Sequence, residues 1–408
     1  MPTDARPPLL VVTWFYRHQP GLSIYVARLK ALARHARITL ICRSPDDARR
    51  LGLSDLPVHV IDTPGEGHFD IAGYCFKVTR LIRAQARPVP MPVMLLSSHL
   101  SMCALRLRGH AVAIYWNEMP SHYFWHVRYN KIKGIVPTLL RWLTYRGARR
   151  ADLVMPISPF MQQDLLDHGC RADATPVIPM GVYGPALQSG APTARLADLA
   201  SQGRLELVYA GTLTDERGKE ELLSGVLIAL KNGTAVRLTL VGITTAQQAE
   251  IAARFGEAGQ GQALRLYGVV PHDEAMRIVR DSDVGVTLLQ PQPHFQFNPP
   301  IKIFELLANG VPTIYNDIRT LSSYLVDRQT GIRAELNGEG VARAIAWCAA
   351  HPEAVQAMRE HCRRAGGPYL WEKIEPLFLA HLRRIHMLPA EVVSHAGAAE
   401  RQVVSSDS

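Results

Sequence analysis

Short apolar runs alternate with amphipathic stretches along two successive halves of the chain. This alternation is typical of parallel sheets that are covered by helices. In the first half the pattern predicts strands at residues 9–14, 38–42, 58–61, 93–97, 111–116 and 153–157. Apolar residues at helical spacing predict helices at residues 23–36 and 137–150.

The same rhythm restarts in the second half of the chain. It predicts strands at residues 205–210, 236–241, 264–267, 284–288 and 313–315. Helices are predicted at residues 219–231, 246–255, 272–279, 301–309 and 338–350. A last helix at residues 371–387 has no strand after it, and we expect it to cross back onto the first domain.

The length of 408 residues favours two domains, because a single hydrophobic core rarely organises so long a chain. Residues 183–203 are rich in Gly, Pro, Ala and Ser, which is typical of a linker. We predict an N-terminal domain at 1–185, a C-terminal domain at 186–365, a crossing helix within 366–388 and a disordered tail at 389–408. Both domains should be α/β, doubly wound and Rossmann-like, and should face a central cleft at the carboxyl ends of their sheets.

Composition and charge narrow the possible partners. A net charge of +9 favours anionic partners, such as nucleic acid, acidic lipid headgroups or phosphorylated metabolites. The six cysteines form no CxxC pair, which indicates reduced thiols in a cytoplasmic protein without a structural zinc site. Neither a signal peptide nor a membrane-spanning run of about 18 apolar residues is recognisable.

The most informative stretch is NPPIKIFELLANGVPTIYND, at residues 298–317. Its two prolines predict a helix start, so that Lys302 and Glu305 share one face of the first turns. A helix N-terminus that carries a lysine attracts phosphate, and a carboxylate one turn later can accept hydrogen bonds from a ribose diol. The alternative is an ordinary surface helix with a weak ion pair.

A second candidate for phosphate binding is the loop after residues 205–210, which reads AGTLTDERGKEELLSGV. Gly211 allows close approach of a ligand to the backbone, Thr212 offers a hydroxyl, and Arg217 and Lys219 bring two positive charges to the next helix. The loop contains neither GxxxxGK[ST] nor GxGxxG, so ATP hydrolysis and NAD binding are not supported.

In their order and spacing, these motifs resemble those of the retaining glycosyltransferases with the two-domain GT-B fold, in particular family 4, also called group 1. GTLTDERG occupies the spacing of that family's GRLxxxKG, and PIKIFELLANGVP resembles its PxKxFEYxAxGxP. The resemblance covers residues 9–388 and also includes SPFMQQDLLDHGC, VIPMGV and LTLVGI. It implies that Arg217 and Lys302 bind a diphosphate and that Glu305 binds the ribose, with Lys219 compensating for Thr212 at a usual arginine position.

Two parts of the sequence depart from the family pattern. Phe297 stands where many members have a second glutamate, so the backbone or Gln296 and Asn298 would replace it and the sugar stays open. After residues 111–116 the family often has His or His-Glu to support the sugar, whereas this chain has Asn117, Glu118 and, further on, His122. We assign these three as candidate catalytic residues.

The loops after two further strands of the first half complete the set of candidates. Gly21 is the flexible residue of the loop after residues 9–14, where the family has its glycine loop on the nucleotide side. His99 follows the strand predicted at residues 93–97. For both histidines, His99 and His122, a plain packing role is the alternative.

The resemblance also bears on metals and membranes. It implies catalysis without a metal and no cofactor besides the nucleotide-sugar co-substrate, and the DSD at 281–283 is interpreted as helix-end acids because it precedes its strand. Residues 128–150 mix seven basic residues with apolar ones at near-helical spacing, which predicts either contact with an anionic membrane or a core-facing helix with a solvated basic side. Nucleic-acid binding is not expected, because no reading motif accompanies the charge.

The sequence therefore favours a cytoplasmic glycosyltransferase, peripheral on the inner face of the membrane. It would move a sugar from a UDP- or GDP-sugar to a glycan or lipid-linked acceptor, with retention, in polysaccharide or glycolipid biosynthesis. Two alternatives stay open: an enzyme of the UDP-sugar 2-epimerase type, and a catalytically silent sugar- or lipid-binding protein.

Overall fold

The computed structural model describes residues 6–16, 22–52, 56–85, 89–120, 131–183 and 203–390. Its first half contains a parallel six-stranded sheet in the order β3-β2-β1-β4-β5-β6. The strands are β1 (Pro8–Val12), β2 (Arg37–Cys42), β3 (Val58–Val60), β4 (Val93–Leu95), β5 (Val112–Trp116) and β6 (Leu153–Pro156). Apart from the partly exposed edge strand β3, they are nearly continuous apolar runs, as expected for strands buried on both faces.

Helices connect these strands and cover the sheet. They are α1 (Ser23–His35), α2 (Pro45–Arg50), α3 (His68–Gln85), α4 (Lys131–Ala148) and α5 (Pro159–Asp167). A 3₁₀ segment, Ser98–Arg106, lies between α3 and α4 and packs against both. These three elements therefore form one layer of the first domain.

The second half contains another parallel six-stranded sheet, in the order β12-β11-β10-β7-β8-β9. Its strands are β7 (Leu205–Ala210), β8 (Val236–Val241), β9 (Leu264–Tyr267), β10 (Val284–Thr287), β11 (Thr313–Asn316) and β12 (Gly331–Ala334). The helices are α6 (Lys219–Lys231), α7 (Thr245–Glu257), α8 (His272–Arg280), α9 (Ile301–Ala308), α10 (Arg319–Ser322), α11 (Gly338–Ala350), α12 (Pro352–Gly366) and α13 (Trp371–Arg384).

The predicted fold class is confirmed: each half is a doubly wound parallel sheet with helices around it. The predicted strands all exist, with ends that differ by at most two residues, but the sequence pattern missed β12 and the helices α2, α3, α5, α10 and α12. Most of the predicted linker, residues 184–202, and nearly all of the predicted tail, residues 391–408, lie outside the described residues.

All six cysteines are buried and unbridged. In the described part of the chain, no helix is long and apolar enough to cross a membrane.

The last helix, α13, packs against α1 of the first domain. The backbone of Val182 is tied to its start, because Val182 accepts a 2.8 Å bond from the Trp371 amide and donates one of 2.9 Å to the Tyr369 carbonyl. The second half of the chain therefore returns to the first, next to the point where the N-terminal domain ends.

A fully buried arginine, Arg28 of α1, holds this junction together. Its guanidinium lies 3.9 Å from the ring centroid of Tyr115 and 5.1 Å from that of Trp371. It donates hydrogen bonds to the carbonyls of Pro179 (3.0 Å) and Met180 (2.8 Å), and no carboxylate of the described residues pairs with it. Burial lowers the pKa of this guanidinium, although not enough to discharge an arginine.

We expect Arg28→Ala to lower the free energy of unfolding of the N-terminal domain by about 3 to 5 kcal/mol. The substitution leaves a cavity among aromatic rings and removes the charged donors of two buried carbonyls. Urea unfolding followed by fluorescence measures the change. Arg34→Ala is the matched control on the same helix: this exposed arginine pairs with Glu375 and should cost less than about 1 kcal/mol. Equal losses for the two variants would contradict the role assigned to Arg28.

Candidate functional site

The two predicted phosphate-binding motifs meet at the carboxyl edge of the second sheet. Strands β7 and β10 are neighbours, and the chain leaves β7 toward β8 on one side while β10 lies on the other. Gly211 directly follows β7, and α9 begins at Ile301 in the connection after β10. A Cβ atom on Gly211, whose φ is 116°, would lie 3.7 Å from Nζ of Lys302. The motifs are therefore in contact at a topological switch point, where ligands bind in sheets of this kind.

Lys302 is the central residue of this site. It is only 7% exposed, and its Nζ lies 3.6 Å from the ring centroid of Tyr209, the penultimate residue of β7. Burial, and then the nearby charge of Arg217, hold the pKa of the Lys302 ammonium well below its usual value, while Glu305 acts in the opposite direction. Such burial excludes the alternative of a solvated surface pair.

Arg217 is the second cation of the site and ends a 3₁₀ turn, Asp215–Arg217. The next residue, Gly218, has a φ of 70°, and a Cβ there would lie 2.4 Å from Cβ of Leu288, so only glycine fits this turn. The amide of Gln290 also donates a 2.9 Å bond to the carbonyl of Glu216. The half-buried side chain of Arg217 forms no ion pair with a carboxylate of the described residues.

Glu305 lies one helical turn after Lys302, with 14% of its side chain exposed. Burial raises the pKa of this carboxyl, and the charges of His272 and Lys302 oppose that rise. Nδ1 of His272, the first residue of α8, lies 3.9 Å from the Glu305 carboxylate. The carboxylate therefore has a cation on one side and an imidazole on the other.

The remaining predicted donor-side residues surround this core. Lys219 contacts two carboxylates, Glu250 at 3.2 Å and Asp215 at 3.6 Å, so its charge is already balanced. The side chain of Thr212 is exposed, and its carbonyl accepts a 2.8 Å bond from the Tyr209 hydroxyl. Asn298 is half-buried, and its backbone amide donates a 3.0 Å hydrogen bond to the His294 carbonyl. Their proposed contacts with a ligand stay predictions.

The backbone of Phe297 takes part in a contact between the two halves of the chain. Ser158 caps α5 by accepting a 3.1 Å bond from the Met161 amide, and its hydroxyl donates a 2.7 Å bond to the Phe297 carbonyl. The guanidinium of Arg319 lies 4.2 Å from the ring centroid of Phe160 beside this bond. Ser158 follows β6 and Phe297 follows β10, so the carboxyl edges of the two sheets face each other here.

On the first sheet, Asn117 and His99 lie together at the carboxyl edge. Asn117 is buried, accepts a 3.4 Å bond from the Ser98 amide and donates one of 2.7 Å to the Tyr25 hydroxyl. The ring of His99 is held at Nδ1 by Ser97 (2.7 Å) and at Nε2 by the Tyr16 hydroxyl (3.2 Å). Both side chains are positioned by neighbouring polar groups.

Glu118 follows Asn117 and is half-buried at the same edge. Two further candidates, Gly21 and His122, lie outside the described residues. The structure thus brings the loops of Asn117 and His99 together, while the places of Gly21 and His122 stay predictions.

Three residues of the site had no assigned role in the sequence: Tyr209, His272 and Tyr16. Each lies near the carboxyl end of a strand, in β7, after β9 and after β1 respectively. Strand-end position was therefore the available signal, but it does not reveal which rings will contact which charges. Among the described residues, no group of three or more His, Cys, Asp and Glu side chains is arranged to hold a metal.

The chemistry of the second sheet's edge follows from these contacts. Two cations, Lys302 and Arg217, approach one small space that is bordered by the backbone of Gly211 and the start of α9. A helix N-terminus adds further positive potential. A carboxylate one turn deeper, Glu305, can accept hydrogen bonds from hydroxyl groups. The arrangement fits an anion that is linked to a diol.

Comparisons with known proteins identify the kind of domain in each half of the chain. A family model described as "Glycosyl transferase 4-like domain" matches residues 21–181, and one described as "Glycosyl transferase-like" matches residues 222–367. No curated protein sequence matches the chain.

Solved structures resemble the chain over nearly its whole length, at identities that establish the fold alone. Sucrose-phosphate synthase from Thermosynechococcus elongatus has a TM-score of 0.67 and 17% identity, over 93% of this chain and 99% of that one. Anabaena HepE in complex with UDP-glucose has a TM-score of 0.67 and 14% identity, over 92% and 99%. WaaG, a glycosyltransferase involved in lipopolysaccharide biosynthesis, has a TM-score of 0.64 and 13% identity, over 90% and 99%. With glycosyltransferase models matching both of its domains and this two-domain architecture, the chain belongs to the GT-B glycosyltransferases.

Proposed function

We propose that this glycosyltransferase uses a nucleotide diphosphate sugar, UDP- or GDP-linked, and transfers the sugar with retention to a glycan or lipid-linked acceptor. The observation that carries the proposal is the buried ammonium of Lys302. It contacts an aromatic face and has no hydrogen-bond acceptor among the described residues, next to a second unpaired cation, Arg217. A diphosphate would supply the missing negative charge, and HepE, which shares the fold, is known in complex with UDP-glucose.

In the proposed reaction, Lys302, Arg217 and the start of α9 hold the diphosphate, and Glu305 accepts hydrogen bonds from the ribose hydroxyls. The bond between the anomeric carbon and the diphosphate oxygen breaks as the acceptor hydroxyl oxygen bonds to that carbon. The departing diphosphate takes the proton of this hydroxyl. The cations stabilise the negative charge that develops on the leaving group, which is often the largest contribution to catalysis.

The first domain would face the transferred sugar and the acceptor with Asn117, Glu118 and His122, and with the loops of Gly21 and His99. A lipid-linked acceptor would place the enzyme on the inner face of the membrane, in polysaccharide or glycolipid biosynthesis. Three apolar side chains of α4, Ile135, Leu139 and Trp142, are exposed at helical spacing and support such a location.

Product analysis tests the reaction itself. The protein is incubated with UDP- and GDP-sugars, with and without oligosaccharide acceptors, and the products are identified by mass spectrometry and by the NMR coupling of the new anomeric proton. A glycoside of unchanged anomeric configuration is expected only when acceptor is present. An altered sugar or free UDP from donor alone would instead indicate the epimerase type, and nucleotide binding without turnover would indicate a silent protein.

We expect Lys302→Met to weaken nucleotide diphosphate binding about 30-fold, because a charge-assisted contact worth about 2 kcal/mol is lost. Calorimetric titration with UDP and GDP measures the affinity. Lys231→Met is the matched control, since this lysine is exposed at the end of α6 and should leave affinity unchanged. Unchanged affinity in Lys302→Met would refute the assignment of the site.

Nucleotide binding should also take up protons at pH values above the lowered pKa of Lys302. The pKa of Lys302 is lowered without ligand, and a bound diphosphate raises that pKa, so the ammonium is restored on binding. Affinity should therefore fall as pH rises through the lowered pKa. The proton uptake is measured as the dependence of binding enthalpy on the ionisation enthalpy of the buffer, and it should vanish in Lys302→Met.

Transfer is further expected to proceed without a metal ion, because Arg217, Lys302 and the N-terminus of α9 can balance the diphosphate charge. Initial rates are measured in EDTA and with added Mg²⁺ or Mn²⁺. Rates that agree within about twofold are expected, and a loss of activity in EDTA that Mn²⁺ restores would contradict this part of the proposal.

A further inference from the structure

A groove lined by arginines lies on the first domain, away from the carboxyl edges of the sheets. It has a volume of about 630 Å³ and runs between α3 and the end of the 3₁₀ segment. Its lining includes Arg80 and Arg83 of α3 and Arg106 of the 3₁₀ segment, together with Phe76. We refer to it as the arginine groove.

The positive charges of the arginine groove are not balanced by the described residues. All three guanidinium side chains are exposed, and none forms an ion pair with a carboxylate of the described residues. Other exposed arginines of the chain do find such partners, for example Arg343 with Glu335 at 2.9 Å. Three like charges that share one groove repel each other, so an anion that binds there relieves this repulsion.

One aromatic side chain, Phe76, lines the groove, and a second, Phe69, is exposed on the same helix. Phe76 is 51% exposed and its ring centroid lies 4.6 Å from the guanidinium of Arg106, and Phe69 is 74% exposed. The two phenylalanines are seven residues apart on α3, so they project from the same side of the helix. Exposed aromatic rings next to unpaired arginines are typical of surfaces that lie in the headgroup region of a membrane.

A neighbouring helix of the same layer also exposes apolar side chains. The 3₁₀ segment packs against both α3 and α4, so the exposed apolar side chains of α4 belong to the same layer of the domain as the groove. Exposed apolar side chains and a cluster of arginines that form no ion pair with a described carboxylate therefore share one layer of this domain, in a protein of net charge +9.

We propose that the arginine groove is a docking site for an anionic phospholipid membrane, with lipid phosphates held by Arg80, Arg83 and Arg106 and with Phe69 and Phe76 at the acyl boundary. Charge complementarity selects this occupant, since the groove presents guanidinium groups that form no ion pair with a carboxylate of the described residues. The proposal deepens the proposed function, because it defines where a membrane that carries the acceptor would contact the enzyme. Membrane binding is measured without donor or acceptor, so the absence of sugar transfer in the product analysis would not contradict the proposed docking site.

The test is sedimentation of the full chain with phosphatidylcholine vesicles that contain or lack phosphatidylglycerol. Binding is expected only with phosphatidylglycerol and should be lost at high salt. Arg80→Gln/Arg106→Gln should weaken the apparent partition coefficient about 25-fold, since each arginine near an anionic surface contributes about fivefold, or about 1 kcal/mol. Phe69→Ser/Phe76→Ser should weaken it as well, at unchanged charge.

The matched control is Arg37→Gln/Arg265→Gln, which removes the same net charge from two exposed arginines elsewhere on the protein. Its partition coefficient should change less than threefold. An equal loss of partition coefficient in the control and in Arg80→Gln/Arg106→Gln would overturn the proposal. Equal binding of the wild-type protein to vesicles with and without phosphatidylglycerol would also overturn it. Unchanged thermal unfolding and UDP affinity in each variant show that the fold and the nucleotide site are intact.

Discussion

The burial of one positive charge, the ammonium of Lys302, constrains the edge of the second sheet. Removing an isolated cation from water costs several kcal/mol, and the protein offsets only part of this cost with the face of Tyr209 and with Glu305 one turn away. Neighbouring features conform to the buried charge: Gly211 has no side chain that would fill the space beside it, and Pro300 starts the helix that carries it. An uncompensated charge in such a place favours an anionic ligand over an empty site.

Each domain contains a buried cation that contacts an aromatic ring, Arg28 in the first and Lys302 in the second. The two differ in whether the protein itself provides hydrogen-bond acceptors for the charge. The guanidinium of Arg28 donates to backbone carbonyls at the junction with α13, so its bonding capacity serves the protein itself. Lys302 has no such acceptor among the described residues. A cation with protein acceptors stabilises a fold, whereas one without them is available to a ligand.

Much of the fold was predictable from the sequence, because apolar periodicity and turn residues are local signals. The strand at Val236–Val241 and the helices at Lys219–Lys231 and Gly338–Ala350 begin and end where the pattern predicts. The short β12 was missed because an exposed arginine interrupts its GIRA sequence, and only pairing with β11 makes it a strand. The sequence also predicted that Lys302 and Glu305 lie on the same side of α9, because residues three positions apart on a helix share one face.

The sequence by itself determined the class of fold, the order of the strands along the chain and the two motifs that carry charge at their ends, since all of these depend on neighbours within a few residues. Only the tertiary structure decided which charges meet. In the folded protein Lys219 forms an ion pair with Glu250, and the ammonium of Lys302 contacts the ring of Tyr209. The hydroxyl of Ser158 donates a hydrogen bond to the Phe297 carbonyl, which joins the two halves of the chain. Burial and charge balance depend on residues far apart in the chain, and no local pattern encodes them.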